Sequence, residues 1–96
     1  MVILISDITQ TCYSNDDGDA VYKVIKPYLI GEEPITLSFG GIDGVTSSFV
    51  NSAFIQLLDS VEYDAIRKNL HITKATRRTR DMIRDRFIFE TQERQD

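Results

Sequence analysis

The apolar positions of the chain alternate between two periods, and the changes of period divide it into elements. "VILI" at the start is a short, wholly apolar run, which predicts a strand buried on both faces. "ITQTCY", residues 8–13, alternates weakly and is rich in threonine, which predicts a second strand at a sheet edge. "SNDDGD" then reads as a loop and helix start, since aspartates there cap free N–H groups and complement the helix dipole. Ala20, Val21, Val24, Ile25, Tyr28 and Leu29 fall on one face of a helix, and Pro27 in its last turn is expected to kink it or end it early.

"GEEP" marks a turn, and "ITLSF" a strand with Ile35, Leu37 and Phe39 on one face. After the glycine-punctuated "GGIDG", the residues Phe49, Val50, Ala53, Phe54, Leu57, Leu58 and Val61 give the strongest periodic signal in the chain, predicting a second helix that starts near Ser47 or Ser48. "YDAIRKN" reads as a last helical turn and connection, and "LHITK" as a short strand. A final helix over roughly residues 75–89 turns Ala75, Met82, Ile83 and Phe87 inward. The order is strand, edge strand, helix, strand, helix, strand, helix, which predicts an α/β domain: a small mixed or parallel four-stranded sheet with about three helices. In such sheets ligands and partners meet the carboxyl ends of the strands, where loops lead into helix N-termini, and the double serine stands at such a place.

With 96 residues there is room for one domain, expected over 1–90, with 91–96 as a flexible tail. The 42% hydrophobic content is that of a folded protein. Net charge is −4, but residues 1–64 hold ten acids and two lysines, whereas residues 67–86 hold eight bases and two aspartates. An acidic body therefore carries a basic C-terminal segment. The single cysteine excludes an internal disulfide and, with one histidine, a structural zinc site, so a cytoplasmic setting without metal or cofactor is expected. The apolar start has no basic leader, and no run approaches the roughly 20 residues that span a bilayer.

Few residues offer chemistry. Thr46 or Ser47 can cap the second helix, with Ser48 in its first turn. A phosphoryl group on either serine would be accommodated by the free N–H groups and would add charge beside Asp43. His71 sits on a short strand with no second histidine, and Cys12 has no histidine nearby in sequence, so neither points to catalysis. "GGIDG" lacks the lysine of a phosphate-binding loop and reads as a strand-to-helix turn. Along the final helix, Lys74, Arg77, Arg80 and Arg84 fall near one side and form the alternative site, a stripe able to contact nucleic-acid phosphates. Pairing of those arginines with Asp81, Asp85 and the acidic body would instead make the stripe a solvated helix face.

"GD" at 18–19, "ITLSFGGIDGVTSSFVNSAFIQLL" and "LHITKATRRTRDMIRDR" together resemble a bacterial STAS-like domain family of unknown function, similar to the anti-sigma factor antagonist (STAS) domain. The resemblance covers roughly residues 12–87. It implies a four-stranded α/β domain that binds a regulatory protein and catalyses nothing. In STAS antagonists an Asp-Ser-Ser-Gly stretch opens the corresponding helix, and one serine is phosphorylated by a histidine-kinase-like ATPase. Matching the serine pair makes Ser48 the candidate phosphoacceptor, with Ser47 beside it. Thr46 stands in place of the aspartate and Phe49 in place of the glycine. The partner-binding surface implied is Gly41, Asp43, Thr46, Ser47, Ser48, Phe49 and Asn51.

Overall fold

A computed structural model describes residues 1–94. Among them the chain forms β1 (Val2–Leu4), α1 (Asn15–Ile30), β2 (Ile35–Ser38), α2 (Ser47–Ala53), α3 (Tyr63–Asn69), β3 (Leu70–Thr73) and α4 (Arg77–Arg94). Short stretches of 3-10 helix follow β1 (Ile5–Asp7) and α2 (Ile55–Asp59). The described sheet has three strands in the order β1-β2-β3, all parallel. Both crossovers step in the same direction across it, so right-handed connections bring their helices to one side. The class is α/β as expected, but there are three strands where four were expected, and four α-helices rather than about three.

The missing strand is residues 8–13, which form turns and pair with no strand. Their threonines are committed elsewhere: Thr9 and Thr11 donate to the Asp17 carboxylate at 3.0 and 2.6 Å, and the Tyr13 N–H donates to it at 3.2 Å. One carboxylate thus folds the segment against the start of α1. β1 also differs from its reading. It is an edge strand with helices on one side only, so Ile3 and Ile5 turn inward while Val2 (66% exposed) and Leu4 (42%) face solvent.

Helix α1 runs through Pro27 to Ile30 without stopping early. The proline is exposed, as is Lys23, the residue whose carbonyl loses its N–H partner, so that carbonyl is open to water. The buried stripe is Gly18, Val21, Ile25 and Leu29. Gly18 lets α1 and α2 touch: a Cβ there would lie 2.6 Å from the Phe49 carbonyl oxygen and 2.6 Å from Ser52 Cβ. The long apolar run after the serines is not one helix. α2 ends at Ala53, where the Ser52 carbonyl accepts from the Gln56 side-chain amide at 2.6 Å, and the chain tightens into the 3-10 turn before α3. Gln56 also donates to Asp19 at 2.7 Å, tying this break to α1.

The core lies between the sheet and the helices. Ile35, Leu37 and Leu70 of the strands and Val21, Ile25 and Leu29 of α1 belong to one buried cluster, and Phe54 is ringed by Phe39, Phe49 and Phe87 at centroid distances of 6.2 to 6.5 Å. α4 begins after Thr76, whose hydroxyl caps the Thr79 N–H at 3.1 Å, and buries Thr79, Ile83 and Phe87. It extends beyond residue 89, so residues 91–94 of the expected tail are helical, while 95–96 lie outside the described residues. No described helix is long and apolar enough to cross a membrane.

Candidate functional site

The rim at the carboxyl end of β2 is built by main-chain hydrogen bonds before any side chain contributes. The Phe39 N–H donates to the Thr73 carbonyl at 2.9 Å, extending the contact with β3 by one residue. Buried Ser38 accepts from the Gly40 N–H at 3.2 Å, and the Ile42 N–H closes a turn onto the Phe39 carbonyl. Gly41 carries that turn at φ +81°, a conformation in which other L residues are strained. The chain then passes exposed Asp43 and reaches Thr46.

Thr46 holds the start of α2 from three directions. Its hydroxyl accepts from the Phe49 N–H at 3.2 Å and donates to the Tyr13 carbonyl at 2.8 Å, and its own N–H donates to the Cys12 carbonyl at 3.1 Å. Thr46 is therefore the cap. Ser47 and Ser48 follow as the first two helical residues, both exposed, and neither hydroxyl has a partner among the described residues.

The structure divides the predicted surface. Gly41, Asp43, Ser47 and Ser48 lie exposed on the rim, with Thr46 half-buried beneath them. Phe49 does not belong to a surface: it is fully buried, meeting Phe54 edge-on at 6.2 Å, because the third residue after the cap stands on the side of α2 that crosses α1 at Gly18. Asn51 is half-buried and accepts from Arg86 Nε at 3.0 Å, so it ties α2 to α4. Two residues outside the predicted partner surface join the rim, one of them, Lys74, from the alternative stripe. Tyr13, 59% exposed, is fixed beside Thr46 by its carbonyl, and Lys74, at φ +57°, runs its side chain past Gly40. Tyr13 was hidden because its segment resembled a strand; a signal was present in Ser14 and Asp17, spaced as a capping box, whose N–H to Oγ bond is 3.1 Å.

The electrostatics of this region are those of a support. Hydrogen bonds to Asp17, from Thr11 first and then from the Tyr13 N–H, lower its carboxyl from an ordinary 3.8 to about 2, so it is fully ionised at neutral pH. Cys12 beneath the rim is buried, and desolvation, with a smaller contribution from the Asp17 charge, pushes its thiol up to about 11. At neutral pH it is a protonated core residue, the opposite of an activated nucleophile. Among the described residues, no group of three or more His, Cys, Asp or Glu side chains converges in a way that could hold a metal ion. His71 lies exposed on the open face of the sheet, in register with Thr36 and Val2.

The alternative site is dispersed. Lys74 belongs to the rim, while Arg77, Arg80 and Arg84 follow α4. Arg77 approaches Asp81 at 4.0 Å, and Arg84 pairs with Asp81 at 3.4 Å and Asp85 at 3.3 Å. Such exposed pairs contribute roughly 0.2–1 kcal/mol each, but they place carboxylates between the cations that a phosphate backbone would need.

A family model described as a STAS-like domain of unknown function matches residues 17–79, from the first turn of α1 to the first turn of α4. The match takes in the double serine and the whole of the rim except Tyr13. Neither the curated proteins nor the solved structures give a match to the chain.

Proposed function

Since the chain belongs to the STAS-like domain family of unknown function, we propose that it is a non-catalytic regulatory module that docks a signalling protein on the rim formed by Tyr13, Gly41, Asp43, Ser47, Ser48 and Lys74. The observation that carries this reading is the division of labour at α2. Because Thr46 does the capping, the serines are free to serve another purpose, and they are presented on a fixed helix start that Thr46 also bonds to the carbonyl of exposed Tyr13. Fixed presentation suits protein recognition, since little conformational freedom is lost on docking. Tyrosine is the kind of residue that anchors such contacts.

The partner class proposed is a histidine-kinase-like ATPase, with Ser48 as the acceptor of its phosphoryl group and Ser47 as the neighbouring alternative. Phosphorylation would add close to two negative charges to a rim that already carries Asp43, at a surface that a partner must desolvate. Release would then follow from repulsion and desolvation, without unfolding of the domain.

The test uses the ATPase of this type that co-purifies with the protein from its native cell. Incubation with ATP and mass spectrometry should give one phosphoryl group at Ser48 or Ser47. Titration calorimetry should show Ser48→Glu and Tyr13→Ala weakening the complex by about tenfold or more, with Lys68→Ala, at the other end of the sheet, unchanged. Modification absent from both serines removes the switch. Affinity that is insensitive to the two rim substitutions removes the docking surface.

A further inference from the structure

On the far edge of the sheet, away from the rim serines, β3 has no neighbour among the described strands. The parallel register directs its main chain: the Thr73 carbonyl accepts from the Phe39 N–H, so Thr73 and His71 turn their peptide groups to β2, and Ile72 between them turns its N–H and C=O outward. The Leu70 N–H is already taken by the Ile66 carbonyl, which leaves the Leu70 carbonyl facing the same way.

Beside this edge runs a groove of about 200 Å³ between α3 and α4, whose floor includes Leu70, Ile72 and Phe87 and whose borders carry Arg67, Arg80 and Arg84. Arg84 is shared with Asp81 and Asp85. Arg67 lies over the Tyr63 ring at 5.6 Å, Arg80 donates to the Ala75 carbonyl at 3.4 Å, and neither forms an ion pair among the described residues.

We propose that the outer edge of β3 and this groove receive an extended peptide segment that carries acidic residues on either side of an apolar one. Three features converge on that chemistry. The outward peptide groups of Leu70 and Ile72 offer acceptor, donor and acceptor to an added strand. The groove has room for one aliphatic side chain. The two guanidiniums without an ion pair, one on α3 and one on α4, border the groove and supply cations for carboxylates two residues before and after it, on the same side of the strand. A nucleic acid would satisfy the cations but would leave the apolar floor and the strand edge unused. This site does not depend on the rim reading.

The probe is an end-blocked, fluorescein-labelled peptide, Asp-Thr-Leu-Thr-Glu-Thr, followed by anisotropy against the full chain. Two companions replace its acids by lysine, or its leucine by threonine. The acidic, leucine-bearing peptide should bind, and each companion should bind at least about tenfold more weakly. Arg67→Glu or Arg80→Glu should weaken it by a similar factor, while Ser48→Glu should leave it unchanged. Hydrogen exchange at the Ile72 amide should slow in the complex. Absence of binding, equal binding of the lysine peptide, or unaltered affinity in both arginine variants overturns the proposal. So does a labelled oligothymidylate that binds through the same arginines and displaces the peptide, which would assign the surface to nucleic acid.

Discussion

Replacing Gly18 by alanine sets two effects of opposite sign against each other, and the α1–α2 crossing decides between them. In an exposed helix interior the change would stabilise the protein by about 1 kcal/mol, because alanine loses less backbone freedom. Here the new methyl would lie 2.6 Å from the Phe49 carbonyl oxygen, 2.6 Å from Ser52 Cβ and 2.9 Å from the Ala53 nitrogen. Two of these are backbone atoms, which cannot rotate away. Restoring ordinary contact at 3.4 Å requires the helices to part by about 0.8 Å. A gap of that size forfeits roughly a quarter to a half of the dispersion energy across the seam. Overpacking of this kind costs about 1–3 kcal/mol, and with backbone as the obstacle the upper end applies, for a net loss of about 2 kcal/mol after the propensity gain. In a chain of this length that lowers Tm by roughly 8–16 °C. Thermal and urea unfolding followed by circular dichroism measure it. Gly44→Ala is the internal control: nothing lies within 4 Å of its Cβ position, and stability should stay within about 0.5 kcal/mol. A Gly18→Ala protein as stable as the parent, or more so, would refute the close crossing of the two helices.

Two further outcomes concern the support of the rim. Thr46→Ala removes the cap of α2 and the bond to Tyr13 together and should cost about 1–2 kcal/mol in urea unfolding, whereas Ser47→Ala and Ser48→Ala should each stay within about 0.5 kcal/mol. The reverse ranking would make a serine the cap. Asp17 has a folded pKa below its unfolded one, so its carboxylate stabilises the fold fully above about pH 4, and that contribution disappears as pH falls through about 2. The stability difference between the parent and Asp17→Asn should follow that window, and a carboxyl titration by NMR with its midpoint near 3.8 would contradict the hydrogen-bonded geometry.

What the sequence made legible was whatever depends on near neighbours. Val21, Ile25 and Leu29 betrayed α1, and Ile35, Leu37 and Phe39 betrayed β2, because each side chain's environment repeats at the period of its own element. The rest was set by distant partners. Thr9 and Thr11 alternate as a strand would, yet Asp17 claims both hydroxyls, and no local pattern announces that. Val2 and Leu4 are apolar enough for a buried strand, but the sheet has helices on one side only, and their burial depends on layers that the first five residues do not encode. The apolar run from Phe49 to Val61 keeps its period through a break, since the 3-10 turn leaves Ile55 and Leu57 buried while Gln56 reaches back to Ser52. At the candidate site the serines were visible, but the choice of Thr46 as cap required Tyr13 and Cys12, more than thirty residues earlier, to supply their carbonyls. Phe49 is a different case: adjacency to the serines suggests a surface, but its place in the apolar period with Val50, Ala53 and Phe54 already turns it inward.

The three hydrogen bonds that converge on Thr46 also limit how often the start of α2 is open. A kinase acting on Ser48 as proposed, and drawing it into an extended backbone, would have to melt the first turn of α2 and with it the bonds of Thr46 to Phe49, Tyr13 and Cys12. At about 1 kcal/mol each, the open form holds on the order of one molecule in a hundred. The proposed modification would then proceed no faster than that scarce population allows, and a partner that stabilises the opened turn would accelerate it. The small knot at Thr46 would thus act as a latch, making the serines slow to react with passing enzymes and quick only with one that can undo it.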